Sequence, residues 1–298
     1  MRRLSTERRC QIVALLNDGL SIRATERATG VGKAAISRLM LDIGAVCAAE
    51  HDRRVRNLQC RYVQVDELWS FCGMKAKRIP ADQRDTFGIG DVWTFTSIDT
   101  ETKLLPAWLI GRRNTKTATR FLIDLGRRIP QTFQLSTDAA AFYRDAVWTA
   151  FGEDIDFGMI WKHSVPDKDE ARKVPKIERT PIVVNGNPET DRINTSYVER
   201  HNLTMRRSMR RYTRRTNAHS KRVRNMAAAV ATYTFFYNFV RPHGTLVDEA
   251  NGRPTTPAMA AGLAERPWSM AQMIGLLEAC EDSAADVAMR RHDRRLAA

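Results

Sequence analysis

Tyr62-Val63-Gln64-Val65-Asp66-Glu67-Leu68-Trp69-Ser70-Phe71 decides how this chain is to be read. The run from Tyr62 to Asp66 is rich in β-branched and aromatic residues, which predicts a short strand. Asp66 stands inside that largely apolar stretch, where a carboxylate is costly to bury unless it binds something. Glu67 follows directly, so on a strand it points to the opposite face; its expected role is structural.

Outward from this run the pattern continues in strands. Val92 to Asp99 reads as a second strand and Asp99-Thr100-Glu101-Thr102 as a turn, with Lys103 to Gly111 returning as a third. Asn114 can cap a helix from Thr115 to Arg128, with Ala118, Phe121, Leu122 and Leu125 at helical spacing. Phe133 to Thr137 is a fourth strand, Ala139 to Phe151 a helix and Phe157 to Lys162 a fifth strand. His163 to Arg192 reads as a polar insertion, followed by long helices over Ser196–Tyr212 and Ala218–Phe239. The C-terminal part holds one expected helix, Met270 to Cys280, and a charged tail. Met226 to Val240, the most apolar stretch, is shorter than the roughly 20 residues of a membrane span and reads as a buried helix.

Two further acids occupy informative places. Asp138 ends the fourth strand, and ligands of α/β sheets bind at the mouths of parallel strands. Glu199 lies near the start of a helix. Taken singly each acid is more simply a cap or a solvated charge, and Glu199 could be the capping-box partner of Ser196. Together, in this element order, they suit a pair of Mg²⁺ ions about 3.5–4 Å apart, which can activate a water or hydroxyl and stabilise a leaving oxygen in phosphodiester chemistry. Mg²⁺ takes hard oxygen ligands, and Mn²⁺ is expected to substitute.

Three blocks carry a family resemblance. Val63-Gln64-Val65-Asp66-Glu67-Leu68-Trp69-Ser70-Phe71 resembles the first catalytic block of the DDE-type insertion-sequence transposases. Tyr197-Val198-Glu199-Arg200-His201-Asn202-Leu203-Thr204-Met205-Arg206-Arg207 resembles their glutamate block. Phe236-Tyr237-Asn238-Phe239-Val240-Arg241-Pro242-His243 and Thr255-Thr256-Pro257-Ala258-Met259-Ala260 are similar to their C-terminal signature. The insertion-sequence-one family is the nearest group. The resemblance implies a ribonuclease H-like fold, with Asp66, Asp138 and Glu199 as catalytic and metal-binding residues. It also implies strand cleavage and strand transfer on double-stranded DNA by a homodimer or larger assembly. Family members usually carry glycine after the second aspartate; here Ala139 follows Asp138, and a positive φ at that point would disfavour alanine.

The charge balance agrees with a polyanionic partner. Lys and Arg total 48 against 34 Asp and Glu, a net charge of +14. Between Glu199 and Asp248 there is no acid at all. Arg206, Arg207, Arg210, Arg211, Arg214 and Arg215 fall in this stretch, and on a continuous helix Arg206–Arg210 and Arg207–Arg211 would form two basic rows for DNA phosphates. Tyr212 among them could stack on an unpaired base.

Residues 5–44 read as three short helices with a Thr29-Gly30-Val31-Gly32 turn, the helix-turn-helix pattern. Lys33, Ser37 and Arg38 would then face the DNA. Five scattered cysteines form no C-x-x-C pair, which disfavours a zinc site and suits a cytoplasmic protein. The N-terminus has no secretory signal, and neither a membrane nor an organic cofactor is expected.

The whole reads as an α/β chain. A helix-turn-helix occupies 1–45, a linker 46–60, a ribonuclease H-like catalytic domain 61–245 with an insertion at about 163–192, and a helical extension with a charged tail 246–298. Two rival functions are a helix-turn-helix regulator without catalysis and a ribonuclease H-like nuclease without strand transfer.

Overall fold

Strand β1, Tyr62–Cys72, is the hub of a six-stranded sheet in the computed structural model, which describes residues 3–165, 176–248 and 252–296. β1 pairs antiparallel with β2 (Gly90–Asp99), which pairs antiparallel with β3 (Trp108–Gly111). On its other side Tyr62–Gln64 of β1 runs parallel to β4 (Gln134–Asp138), and β4 runs parallel to β5 (Asp156–Val165). β6 (Lys176–Asn185) adds antiparallel to β5, so the order is β3-β2-β1-β4-β5-β6. Three antiparallel strands are thus extended by two parallel ones and closed by the antiparallel β6.

Helices cover both faces, and the alternation along β1 shows why. Val65 and Glu67 face α5 (Phe142–Phe151), which packs beside α4 (Thr115–Gly126), whereas Gln64 and Asp66 face α6 (Ser196–Ser208). Gln64 is 1% exposed yet polar, because its Oε1 accepts from the Tyr197 and Val198 backbone N–H groups at 2.8 and 3.1 Å. These are among the N–H groups that a helix start leaves without a partner.

The chain divides into two units, one of Val55–Met205 and the other of Met1–Arg54 with Arg206–Ala298. The second is helical: α1 (Thr6–Asn17), α2 (Ile22–Thr29), α3 (Lys33–Arg54), α7 (Val223–Phe235), α8 (Pro257–Ala260) and α9 (Met270–Leu296). Ser5 and Ser21 cap α1 and α2 through their side chains. Arg9, 5% exposed, is held by Glu281 of α9 at 3.0 Å. α3 meets α7 at Gly44, where a Cβ would stand 2.5 Å from the Ala228 Cα. Among the described residues no helix is long and apolar enough to cross a membrane.

Several elements differ from the sequence expectation. Residues 45–54 are not linker but continue α3, with Ile43, Gly44, Cys47 and His51 extending its buried stripe. β3 begins at Trp108 because Lys103 sits in a turn with φ 60° and Pro106 has no N–H to give the ladder. Residues 163–165 and 176–185 of the expected insertion belong to the antiparallel strands β5 and β6 and 190–192 to a 3₁₀ turn, and residues 166–175 lie outside the described residues. Pro181 is tolerated because β6 is an edge strand. α6 ends at Ser208 and a 3₁₀ turn follows over Arg210–Tyr212, so Arg206 to Arg211 do not form two rows on one helix. The C-terminal helix runs well past Cys280, to Leu296.

Candidate metal centre

The sheet brings two of the three acids together. Asp66 on β1 and Asp138 at the end of β4 each offer a carboxylate oxygen, and with Glu67 these atoms all lie within 4.8 Å of one another. Three oxygen donors at that spacing fit a hard divalent cation such as Mg²⁺. The Asp138 Oδ1 also accepts from the Ala140 N–H at 3.1 Å, which fixes the carboxylate at the strand end. Ala139 has no positive φ: among the described non-glycine residues only Asn57, Lys103 and Arg215 do. Alanine therefore brings no left-handed backbone strain at the place where glycine was expected.

Glu67 belongs to the wall more than to the opening. Its side chain is 1% exposed and receives the Arg113 Nε at 3.2 Å. The Tyr143 hydroxyl, itself fully buried, interacts with it. Arg113 lies 5.2 and 5.1 Å from the Trp93 and Phe142 ring centres and reaches Asp138 at 3.7 Å, so one guanidinium serves both acids.

Glu199 on α6 stands apart from that cluster. Its Oε1 accepts from Lys162 Nζ and from Thr195 Oγ1 at 2.6 Å, and Arg179 Nη2 lies 3.5 Å from its Oε2. Ser196 instead donates to Asn194, so the capping-box alternative for Glu199 does not form. Asn202, one turn further along α6, donates its Nδ2 to Asp66 Oδ2 at 2.8 Å and accepts from Thr96 Oγ1 at 3.3 Å.

The electrostatics separate the acids. Burial raises the Asp66 carboxyl to about 6, with the Asp138 charge adding to the rise against the opposing pull of hydrogen bonds and Lys162. Burial raises Glu67 to about 7, against the lowering effect of Tyr143 and Arg113 and with the charges of Asp138 and Asp66 adding to the rise. Burial also works to raise Glu199, but the hydrogen bonds of Lys162 and Thr195 and the charges of Lys162 and Arg179 outweigh it and hold the carboxyl below its ordinary value. Two clustered carboxyls are thus disfavoured as anions, the condition a bound cation would relieve.

Sequence reading passed over Lys162, Arg179 and Arg113. Lys162 and Arg179 face each other in the β5–β6 register, a pairing invisible while the second strand is taken for an insertion. Arg113 lies two residues past β3, beside the helix cap Asn114, and carries no signal of its own.

The residues expected to meet DNA belong to the helical unit. Lys33 and Arg38 on α3 are exposed and Ser37 is half-buried. Arg207, Arg210, Arg214 and Arg215 are exposed, and Arg206 is half-buried with its Nη1 donating to the Tyr212 carbonyl at 3.2 Å. Arg211 is turned inward, donating to Ser220 Oγ at 2.8 Å and to the Asn225 carbonyl at 2.6 Å. Tyr212 is 2% exposed, which removes it as a stacking platform.

No family model matches the chain, and no curated protein matches it. Among solved structures, the Mos1 strand transfer complex is similar at 14% identity and a TM-score of 0.22, over 53% of this chain and 59% of that one. A pre-cleavage Mos1 transpososome is similar at 14% identity and a TM-score of 0.21, over 53% and 60%. The Mos1 transposase paired-end complex with the left transposon end stands at 15% identity and 0.21, again over 53% and 60%. The chain therefore spans about six tenths of the length of the chains it matches, and at this level of likeness its function rests on the site itself.

Proposed function

We propose that the chain is a DNA transposase with a ribonuclease H-like catalytic unit, using divalent metal ions to cut and join DNA strands. The observation that carries this reading is the approach of the Asp66 and Asp138 carboxylates on neighbouring parallel strands, both in the Val55–Met205 unit. In this reading Asp66 and Asp138 hold the metal, with Glu199 as third carboxylate. Mg²⁺, or Mn²⁺ in its place, would supply an activated oxygen nucleophile and charge neutralisation at the leaving oxygen.

The protein's own groups do the positioning. Gln64 fixes the start of α6 and Asn202 ties the same helix to Asp66, so both acids are set relative to one framework. Lys162 and Arg179 are cations beside the carboxylates, suited to the phosphates of a substrate strand. The exposed arginines after Glu199 and Lys33, Ser37 and Arg38 of a helix-turn-helix would bind the ends of the mobile element. Joining two ends calls for a dimer or larger assembly.

A second assignment has its own support: Glu67, which clusters with Asp66 and Asp138, completes the ligand set in place of Glu199. The burial of Glu67 and its bond to Arg113 favour Glu199. The test is cleavage and joining of DNA carrying the element ends, with Mg²⁺ and with Mn²⁺. Asp66→Asn, Asp138→Asn and Glu199→Gln should each abolish cleavage while end binding survives; Glu67→Gln should leave measurable cleavage. Parental cleavage in all three of the first set overturns the proposal. Cleavage without joining would make the chain a nuclease, and end binding without cleavage a regulator.

A further inference from the structure

The helical unit holds an open-sided cavity of about 670 Å³, within the range of small-molecule sites. All its lining residues come from α1, α2, α3, α7 and the loops beside them, within that one unit. Its walls are of two kinds. Val13, Leu16, Met40, Ile43 and Met209 form an apolar, mostly buried part, and Arg23, Arg210, Arg215 and Lys221 are exposed cations. No aspartate or glutamate is among the lining residues. Cations gathered without a carboxylate repel one another until an anion arrives.

Three details point to the anion's place and kind. Arg215 holds φ at 55°, a left-handed backbone that a residue with a Cβ adopts only at a cost, and such strain gathers at ligand sites. Ser21 and the first residues of α2, Ile22 and Arg23, also line the cavity, so the positive end of that helix opens on it. Two polar residues stand among the buried lining: Thr232, whose hydroxyl donates to the Ala228 carbonyl at 2.8 Å, and Asn17, 4% exposed, whose Nδ2 donates to the Val13 carbonyl at 2.9 Å. That bond uses one of the two amide N–H groups and leaves the side-chain oxygen as an acceptor. A bare phosphate would leave most of this volume and all of the apolar wall unused, and a hydrocarbon chain would leave the Asn17 acceptor without a donor.

We propose that this cavity binds a nucleoside phosphate, with the phosphate at Arg23, Arg210, Arg215 and Lys221 and the base against the apolar wall, donating an N–H to Asn17. Every nucleobase carries such a donor and an apolar ring face. The ligand's source is either a free nucleotide or an unpaired nucleotide of a DNA end. None of the carboxylates of the proposed metal centre lines this cavity, which rests on that function only in sharing Arg210 and Arg215 with the arginines assigned to DNA.

The experiment is calorimetric titration of the full chain, without metal, using dAMP, dTMP, deoxyribose 5-phosphate and inorganic phosphate. Both nucleotides should bind at least tenfold more tightly than either base-free phosphate. Asn17→Leu should shrink that ratio several-fold, and Arg215→Gly, which suits the backbone and removes the charge, should weaken every phosphate ligand. Should Asn17→Leu fail to fold, the ratio in the parent and the Arg215→Gly result still decide. Duplex DNA with a three-nucleotide overhang then separates the sources: displacement of dAMP by the overhang but not by blunt duplex assigns the site to a DNA end, and no displacement assigns it to free nucleotide. Equal affinity for dAMP and inorganic phosphate, or no binding of dAMP at millimolar concentration, overturns the proposal. Because no metal is present and no strand is cut, that failure would leave the carboxylate reading intact.

Discussion

Asn202 donates its side-chain amide to the Asp66 carboxylate at 2.8 Å across 136 positions of sequence, and this bond joins α6 to the central strand at the candidate site. Asn202→Ala should destabilise the Val55–Met205 unit by about 1.5–3 kcal/mol, the range for a hydrogen bond to a charged group. Urea denaturation followed by tryptophan fluorescence measures it. A loss under about 0.5 kcal/mol would mean that the bond does not persist in solution.

Gln64 caps α6 through two backbone N–H groups, so its replacement acts on the placement of Glu199. Gln64→Leu keeps the bulk and orphans both donors, which should reduce metal-dependent cleavage at least tenfold. Gln64→Glu retains an acceptor and should recover part of that loss. Equal activity of the two variants would show that the cap does not position the helix.

Lys162 and Arg179 hold the Glu199 carboxylate. Lys162→Met together with Arg179→Met should raise Mn²⁺ affinity several-fold in the absence of DNA, because two competing cations leave. The same pair should weaken DNA binding and lower its salt dependence by at most about two units of slope. Paramagnetic resonance of free Mn²⁺ and a salt titration read the two effects. Unchanged Mn²⁺ affinity would mean that Glu199 takes no part in metal binding.

The raised carboxyls make a pH prediction. Asp66 at about 6 and Glu67 at about 7 lie above ordinary carboxyl values, so between those values and neutrality the folded chain binds more protons than the unfolded chain. Their contribution to stability is full at acid pH and lost as the pH rises through about 6 to 7. Asp66→Asn should therefore add more to the unfolding free energy of the metal-free chain at pH 8 than at pH 5, by on the order of 1–2 kcal/mol. Mg²⁺ should stabilise the parent increasingly over the same pH interval, since metal and proton compete for the same oxygens. A larger effect of Asp66→Asn at pH 5 than at pH 8 would contradict the assignment.

The sequence displayed those parts of the fold in which one residue type dominates a short run. β1, β2 and β4 carry dense β-branched and aromatic residues, and Asp66 and Asp138 are conspicuous against them. What escaped reading depends on neighbours far along the chain. β6 is an exposed edge strand with Arg179, Thr180 and Pro181 at its middle, so it has no core-facing alternation to reveal it. The second half of α3 buries Gly44, Cys47 and His51, small or polar residues whose stripe becomes apparent only once α7 lies against it. Arg211 and Tyr212 read as surface residues because their charged neighbours are, yet one is bonded inward and the other is core.

The helical unit draws on both ends of the chain, and this governs the order in which a ribosome can complete it. Residues up to Arg54 emerge first but pack with residues beyond Arg206, so α3 waits, its Gly44 side uncovered, while the intervening 151 residues are made. At about 5–20 residues per second that interval lasts on the order of ten seconds. The Val55–Met205 unit is contiguous and can form during this time, whereas the nascent N-terminal helices depend on delayed partners. Premature termination before α7 would thus release a chain with an unfinished apolar surface, a natural target for chaperones and proteases.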